Sequence, residues 1–237
     1  MQITSPAFKK NSVKALSDAQ LQKALGNVRA GFIDKRTKAV NALPEFDALR
    51  DNGKAIKDHT LANLDLYLEA YEAQVKKAGG HVHWAQTAED ARNIILDLCK
   101  TRGVKTVTKG KSMISEEIAL NDALEEAGVR PVETDLGEYI IQLRGEHPSH
   151  IIAPAVHLNK EQIEADFRRV HTHLPADREL VEHEKLLTEA RAVLRAEYFK
   201  ADLGITGANF LVAETGSSII VTNEGNGDLT QLLGKVH

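Results

Sequence analysis

Cysteine is nearly absent from this sequence, which contains only Cys99 among its 237 residues. An internal disulfide needs two cysteines, and an iron-sulfur cluster is usually held by about four thiolates. Residues 1–237 therefore cannot form a disulfide framework or supply the ligands of such a cluster. Cys99 lies on the apolar stripe of a predicted helix over residues 87–101, so we expect it to be part of the core.

Long apolar runs and an excess of basic residues are also missing. No segment approaches the roughly 18 apolar residues of a membrane span, and the first residues lack the apolar core of a signal peptide. Lysine and arginine number 30 against 34 aspartate and glutamate, a net charge of -4. This balance argues against nucleic acid or an anionic membrane as a partner. We expect a cytoplasmic protein with no membrane span.

The pattern of apolar residues predicts an α/β fold. Residues 1–78 are predicted to form an N-terminal helical extension, and residues 79–237 an α/β domain with a mostly parallel sheet flanked by helices. The predicted strands cover residues 81–85, 104–108, 129–133 and 151–153. The predicted helices of this domain cover residues 87–101, 115–127, 161–170 and 177–199, and a hairpin is expected from residues 208–213 and 218–222.

One candidate site follows the predicted strand at 104–108 and consists of Lys109, Gly110, Lys111 and Ser112. Backbone amides, a helix dipole and two ammonium groups would converge there on an anion. The segment is not a P-loop, because position 105 holds a lysine where that motif needs glycine. A solvated turn with a capping serine explains the same residues equally well.

A second candidate site follows the next predicted strand, at Glu133 and Asp135. Loops at the carboxyl ends of parallel strands are where open α/β sheets bind ligands. Carboxylates at such a position could serve as general acids or bases, or could pair with Lys109 and Lys111. A plain acidic turn is the alternative interpretation.

The histidines offer little evidence for a metal site, and we predict none. His171 and His173 have no cysteine or carboxylate at a recognisable ligand spacing. His150 and His157 bracket the predicted strand at 151–153, so they would lie toward its opposite ends. We predict instead that His150 polarises or deprotonates a ligand, and that His157 contacts it.

The segment from residue 204 to 227 is dense in glycine and hydroxylated residues, which leave room for a ligand near the backbone. It does not match a dinucleotide fingerprint, because position 230 holds threonine. Glu214 and Glu224 are the candidate catalytic carboxylates, and we predict that Glu214 faces a pocket instead of bulk solvent. An exposed turn carboxylate is the alternative for Glu214. The candidate ligand-binding residues of this segment are Thr206, Thr215, Gly216, Ser217, Asn223 and Asn226.

Four motifs together resemble the LUD domain of the lactate-utilisation iron-sulfur protein family, in its B-type form. They are the segments 109–112, 133–138, 147–157 and 206–226. The resemblance implies a sheet similar to that of sugar-phosphate isomerases and CoA transferases, and a role in oxidising L-lactate to pyruvate beside other subunits. It also implies two 4Fe-4S clusters in a cysteine-rich part that would follow residue 237, so we expect the chain to be truncated before that region.

Three functions stay open from the sequence. The first is the ligand-binding domain of an L-lactate-oxidising complex, in which Lys109 or Lys111 holds the carboxylate of a small anionic metabolite and His150 or Glu214 takes the hydroxyl proton. The second is a non-redox domain that binds or transfers a phosphosugar or a CoA thioester. The third is a scaffold that docks partner subunits through its N-terminal helices.

The single cysteine generates a direct prediction. The purified chain should be colourless, bind no iron after anaerobic reconstitution, and fail to reduce an artificial acceptor with L-lactate, because one thiolate cannot hold a cluster. Iron content and the visible absorption spectrum are the measurements. Stoichiometric iron with a cluster spectrum would contradict the prediction.

Overall fold

The computed structural model describes residues 5–237, which divide into two compact units. One consists mainly of residues 83–208 and 220–237, and the other of residues 7–82 and 209–219. Within the described residues, no helix combines the length and the apolar character that crossing a membrane would require.

The second unit is built mainly from the N-terminal helices, in the region where the sequence predicted a helical extension. A π-helical turn at Arg29–Ile33 joins its second and third helices. None of its helices contains a buried residue. The helices are α1 (Phe8–Ser17), α2 (Ala19–Val28), α3 (Asp34–Asn41), α4 (Phe46–Ala62) and α5 (Leu64–Lys77).

The predicted hairpin forms within this helical unit, from β4 (Phe210–Val212) and β5 (Ser217–Ile219). It contacts α5, where the hydroxyls of Tyr71 and Ser218 are 2.8 Å apart. Gly216 turns the chain with φ +70°, and a Cβ there would lie 2.5 Å from the backbone nitrogen of Val75. The turn therefore requires glycine.

The α/β unit contains a three-stranded parallel sheet in the order β2-β1-β3, which confirms the predicted fold class. Its strands are β1 (Thr106–Gly110), β2 (Arg130–Glu133) and β3 (Leu203–Thr206). Its helices are α6 (Ala88–Arg102), α7 (Met113–Glu117), α8 (Leu120–Glu126), α9 (Leu136–Arg144), α10 (Lys160–Val170), α11 (His183–Lys200) and α12 (Asn226–Leu233).

Two apolar clusters hold the helices to the sheet. The first joins α6 and α8 to the strands and includes Cys99, which is 2% exposed, as predicted. The second joins α9, α10 and α11 around Phe167. Capping boxes begin α6, at Thr87 and Asp90, and α10, at Asn159 and Gln162.

His171 belongs to a buried polar network inside the second cluster. Its Nδ1 lies 2.7 Å from Glu189, and its Nε2 lies 2.8 Å from the hydroxyl of Tyr139. Arg178 completes the network through an ion pair of 2.6 Å with Glu189. These contacts connect α9, the end of α10 and α11, which gives His171 a structural role.

Two predicted strands are wrong. Residues 151–153 form a loop whose Ile151 and Ile152 are 70% and 76% exposed. Ser149 bonds to the carbonyl of Pro154 through both its amide and its hydroxyl, so the residues between them are held in a tight loop that cannot join a sheet. Residues 81–85 are mostly exposed and contain no strand, because they offer no buried apolar face to a sheet.

The sequence interpretation also missed β3 and α12. β3 is only four residues long and contains Gly204, which normally weakens a strand. The glycine is needed because a Cβ there would lie 1.9 Å from the carbonyl oxygen of Thr230 in α12. Close packing of α12 against β3 thus explains why this strand contains a glycine and why neither element has a clear local signal.

Candidate functional site

The carboxyl ends of the three parallel strands bring several candidate residues to one edge of the sheet. Lys109 is in register with Glu133 on one side and Ile205 on the other, and Gly110 is in register with Thr206. The candidate sites after β1 and β2, predicted separately, therefore form one site. All of its residues belong to the α/β unit.

Lys109 is buried, with 1% of its surface exposed. Its Nζ lies 2.7 Å from Glu133 Oε1 and donates to Ser115 Oγ at 2.9 Å. Asn121 also donates to Glu133 Oε1, at 2.7 Å. Lys109 is therefore neither part of a solvated turn nor positioned to meet a ligand from solution.

Ser112 has a structural role at this edge. Its hydroxyl accepts from the amide of Ser115 at 3.3 Å and caps α7, as the turn interpretation expected. Its carbonyl accepts from the hydroxyl of Ser115 at 2.6 Å. Ser115 is thereby held where it receives the hydrogen bond of Lys109.

Lys111 adopts the left-handed backbone conformation, with φ +57°. Non-glycine residues adopt this conformation at a cost of order 1–3 kcal/mol, and the surrounding structure must hold them there. Gly207 permits the arrangement, because a Cβ at that position would lie 2.2 Å from the carbonyl oxygen of Lys111. The strain is typical of a functional position.

Two carboxylates face the ammonium group of Lys111. Asp135 Oδ2 lies 2.7 Å from Nζ and Glu224 Oε2 lies 3.6 Å from it. Asp135 is fixed, because its other oxygen accepts from the amide of Gly137 at 3.1 Å and caps α9. Glu224 is 44% exposed and is therefore the more easily displaced partner.

The pKa values around Lys111 reflect this pairing. Partial burial lowers the pKa of Lys111, but the hydrogen bond and charge of Asp135, together with Glu224, outweigh it and raise that pKa above its usual value. Burial and the charge of Asp135 raise the pKa of Glu224, while Lys111 opposes the rise. A raised pKa makes Glu224 a stronger base than an exposed glutamate.

Two further carboxylates, Glu116 and Glu138, belong to the site and were not among the predicted residues. Burial, followed by the charge of Glu133, raises the pKa of Glu138 to about 8. Burial also raises the pKa of Glu116, against the opposing charge of Lys109. Glu138 follows Asp135 by three residues at the start of α9, and that helical spacing was the signal that could have identified it.

Two buried acceptor atoms at this edge, Glu133 Oε2 and Asn121 Oδ1, have no hydrogen-bond partner among the residues that the structure describes. A buried acceptor without a donor is costly. The negative charge of Glu133 also favours the neutral form of Glu138.

The start of α12 packs directly against the strand ends. A Cβ on Gly110 would lie 2.5 Å from Thr134 Oγ1 and 3.2 Å from Asn226 Nδ2, so only glycine fits. Asn226 is buried and reaches Thr134 at 3.5 Å. Among the other predicted ligand-binding residues, Thr206 contacts His237 Nε2 at 2.8 Å and Asn223 is exposed.

The histidine-containing loop at 145–159 covers the start of α9. Pro154 contacts this turn closely, because a Cβ on Gly137 would lie 3.0 Å from its Cδ. His150 Nδ1 accepts from the amides of Ile152 and Ala153, at 3.1 and 3.2 Å. These bonds shape the loop, and a role for His150 with a ligand stays a prediction.

His157 also takes part in holding this loop. It bonds to Ser149 Oγ at 2.8 Å and to Glu146 at 3.0 Å. Its contact with a ligand stays a prediction. Within residues 5–237, no three His, Cys, Asp or Glu side chains are grouped as a metal site would require.

Glu214 corrects one expectation. It lies exposed in the turn between β4 and β5, so the prediction that it is sheltered from bulk solvent is wrong. Both strands are short and largely exposed, so the turn between them has no buried strands to shelter it. Thr215 and Ser217 bond to each other at 2.9 Å, and these turn residues, with Gly216, belong to the helical unit.

Comparisons with known proteins agree with the resemblance seen in the sequence. The family model of the LUD domain matches residues 68–237. Lactate utilization protein B of Anoxybacillus flavithermus is 42% identical over 236 residues, and that of Bacillus subtilis is 42% identical over 240. Each alignment covers 99% of this chain, but the chain spans only about half the length of these relatives, 49% and 48%. No solved structure matches.

The different surroundings of the two lysines lead to opposite predictions for their replacement. Lys109→Met should lower the free energy of unfolding by about 3–5 kcal/mol, because it leaves the buried Glu133 carboxylate unpaired. Lys111→Met should cost about 1 kcal/mol or less, because its ion pairs are partly exposed. Urea denaturation of both variants tests this, and equal losses would contradict the structural role of Lys109.

Glu138 should make stability depend on pH. Between the ordinary glutamate pKa of 4.5 and about 8, the folded state keeps a proton that the unfolded state has lost. The stability from this group is thus complete below pH 4.5 and lost as pH rises through that window. Glu138→Gln should flatten the decline in melting temperature between pH 5 and 8. The exposed Glu117→Gln is the matched control, and an unchanged slope for Glu138→Gln would contradict the assignment.

Proposed function

Because the chain belongs to the LUD domain family, we propose that its α/β unit binds the carboxylate of lactate, or of its oxidation product pyruvate, at the carboxyl edge of β1, β2 and β3. The observation that carries this proposal is the contact of Lys111 with Asp135 and Glu224. The name of the relatives, lactate utilization protein B, supports lactate as the metabolite.

Lys111 is the better candidate for the cation that receives the ligand. Lys109 is enclosed by Glu133 and Ser115, whereas the side chain of Lys111 is partly exposed. A ligand carboxylate can replace Glu224, whose contact with Lys111 is the longer one. Asp135 would stay in place, because it also caps α9.

Glu224 would then be the proton acceptor. Displaced from Lys111 but still near the ligand, its carboxylate can take the proton of the lactate hydroxyl. Its raised pKa suits that transfer, and loss of the contact with Lys111 removes the interaction that lowers the pKa. His150 stays the alternative base in this proposal.

The excess of carboxylates limits how strongly an anion can bind. Glu116, Glu133, Asp135, Glu138 and Glu224 face only two lysines. A neutral Glu138 removes one negative charge that would repel the ligand. We therefore expect affinity for lactate to rise as pH falls below about 8, the pKa of Glu138.

Lactate oxidation needs an electron acceptor, and the residues of this chain do not fit an iron-sulfur cluster in that role. A 4Fe-4S cluster requires several thiolates, and Cys99 is buried in the first apolar cluster. Our proposal for this chain is therefore confined to ligand binding and proton transfer. We further propose that it acts in the cytoplasm beside other subunits of a lactate-oxidation system.

Calorimetric titration tests this proposal. L-lactate and pyruvate should bind, and Lys111→Met should weaken binding about tenfold or more, since a hydrogen bond to a charged group contributes about 1.5–3 kcal/mol. Glu224→Gln should keep or improve affinity, because it removes the competing anion. Lys185→Met, at an exposed position in α11, is the control.

The same titration distinguishes the alternatives. Binding of CoA or a sugar phosphate without lactate or pyruvate would favour the non-redox function. No binding of any of these ligands would favour the docking scaffold. Lactate binding that is unaffected by Lys111→Met would place the ligand elsewhere.

A further inference from the structure

The first three helices carry a strong positive charge. Residues 8–41, here called the arm, contain eight basic and two acidic residues, a net charge of +6 in a chain whose total is -4. None of the eight basic side chains forms an ion pair with the residues that the structure describes. The arm therefore presents its charge to solvent.

The arm also exposes apolar side chains. No residue of α1, α2 or α3 is buried. Large apolar side chains are exposed along its whole length: Phe8, Val13, Leu16, Leu25 and Ile33. These side chains add apolar area to the charge of the arm.

A surface of the opposite charge is present on the same chain. Residues 113–126, here called the acidic face, cover α7 and α8 and contain five acidic and no basic residues, a net charge of -5. Glu117, Asp122, Glu125 and Glu126 are exposed, and none forms an ion pair within the described part of the chain. Met113 and Ile114 add exposed apolar surface at its start.

We propose that the arm of one copy of this chain docks on the acidic face of a second copy, and that the arm of the second copy docks on the acidic face of the first. The two surfaces carry charges of opposite sign and similar size, +6 and -5, and both add apolar area. A contact in which each copy contributes both surfaces closes into a two-fold dimer. The acidic face leads into the site, because Ser115 and Glu116 of α7 contact or face Lys109.

The attraction between the charged surfaces should make this contact sensitive to salt. Single exposed ion pairs contribute little, but several act together when two oppositely charged surfaces meet. At 0.15 M ionic strength charges are screened beyond about 8 Å, and at 1 M beyond about 3 Å. The dimer should therefore weaken markedly between low and high salt, and the apolar contacts should preserve part of it.

Charge reversal on the full chain tests the proposal. An arm variant carries glutamate at Lys9, Lys10, Lys14 and Lys23. A face variant carries lysine at Glu117, Asp122, Glu125 and Glu126. Light scattering coupled to gel filtration at low salt should show the wild type at twice 26.0 kDa and each variant alone as a monomer. An equimolar mixture of the two variants should restore the dimer, because both contacts then join opposite charges.

The mixture separates this proposal from its alternatives. If the arm contacts the acidic face of its own chain, or binds a different protein or a lipid surface, the wild type and the mixture both stay monomeric. A monomeric wild type, or a mixture that does not dimerise, overturns the proposal. Circular dichroism must first show that both variants keep the helical content of the wild type. If one does not, reversing only Lys9 and Lys14 leaves the arm at +2, and reversing only Asp122 and Glu126 leaves the face at -1. Each of these variants alone should then dimerise more weakly than the wild type, and their mixture should dimerise more strongly than either alone.

Discussion

The ion pair between Lys109 and Glu133 is the constraint on which this edge of the sheet depends. Both side chains are almost entirely buried, and removing an ion from water costs several kcal/mol even after the protein relaxes. The attraction offsets that cost only if further hydrogen bonds complete the site. Ser115 of α7 and Asn121 of α8 supply them, so these helices are coupled to the strand ends. The positions of Glu116 and of the acidic face follow from that coupling.

The same edge shows how structural and exchangeable charges are separated. Lys109 has its contacts within the protein, whereas Lys111 has one fixed partner, Asp135, and one exposed partner, Glu224. A neutral Glu138 at this edge limits the repulsion among five carboxylates. Under the proposed function, ligand binding and protonation of Glu138 would be linked, since each changes the charge that the other meets.

Much of the fold and part of the site could be predicted from the sequence. The apolar periodicity around Cys99 identified α6 correctly, because periodicity is a local signal. β3 and α12 escaped prediction because each depends on packing against the other at Gly204. The exposure of Glu214 depends on how its hairpin packs on α5, and local sequence patterns do not predict such tertiary packing. Burial of Lys109 could not be predicted, because a lysine beside glycine and serine is normally exposed.

The spacing of the two lysines explains why Lys109 is buried while Lys111 is partly exposed. Residues two apart in a strand point to the same side, so Lys109 shares a side of β1 with the buried Val107. If β1 continued past Gly110, the side chain of Lys111 would lie on that same side. β1 instead ends at Gly110, and the left-handed conformation of Lys111 turns the chain toward Asp135 and Glu224. Gly207, in the loop after β3, leaves room for that turn, which keeps the Lys111 side chain partly exposed.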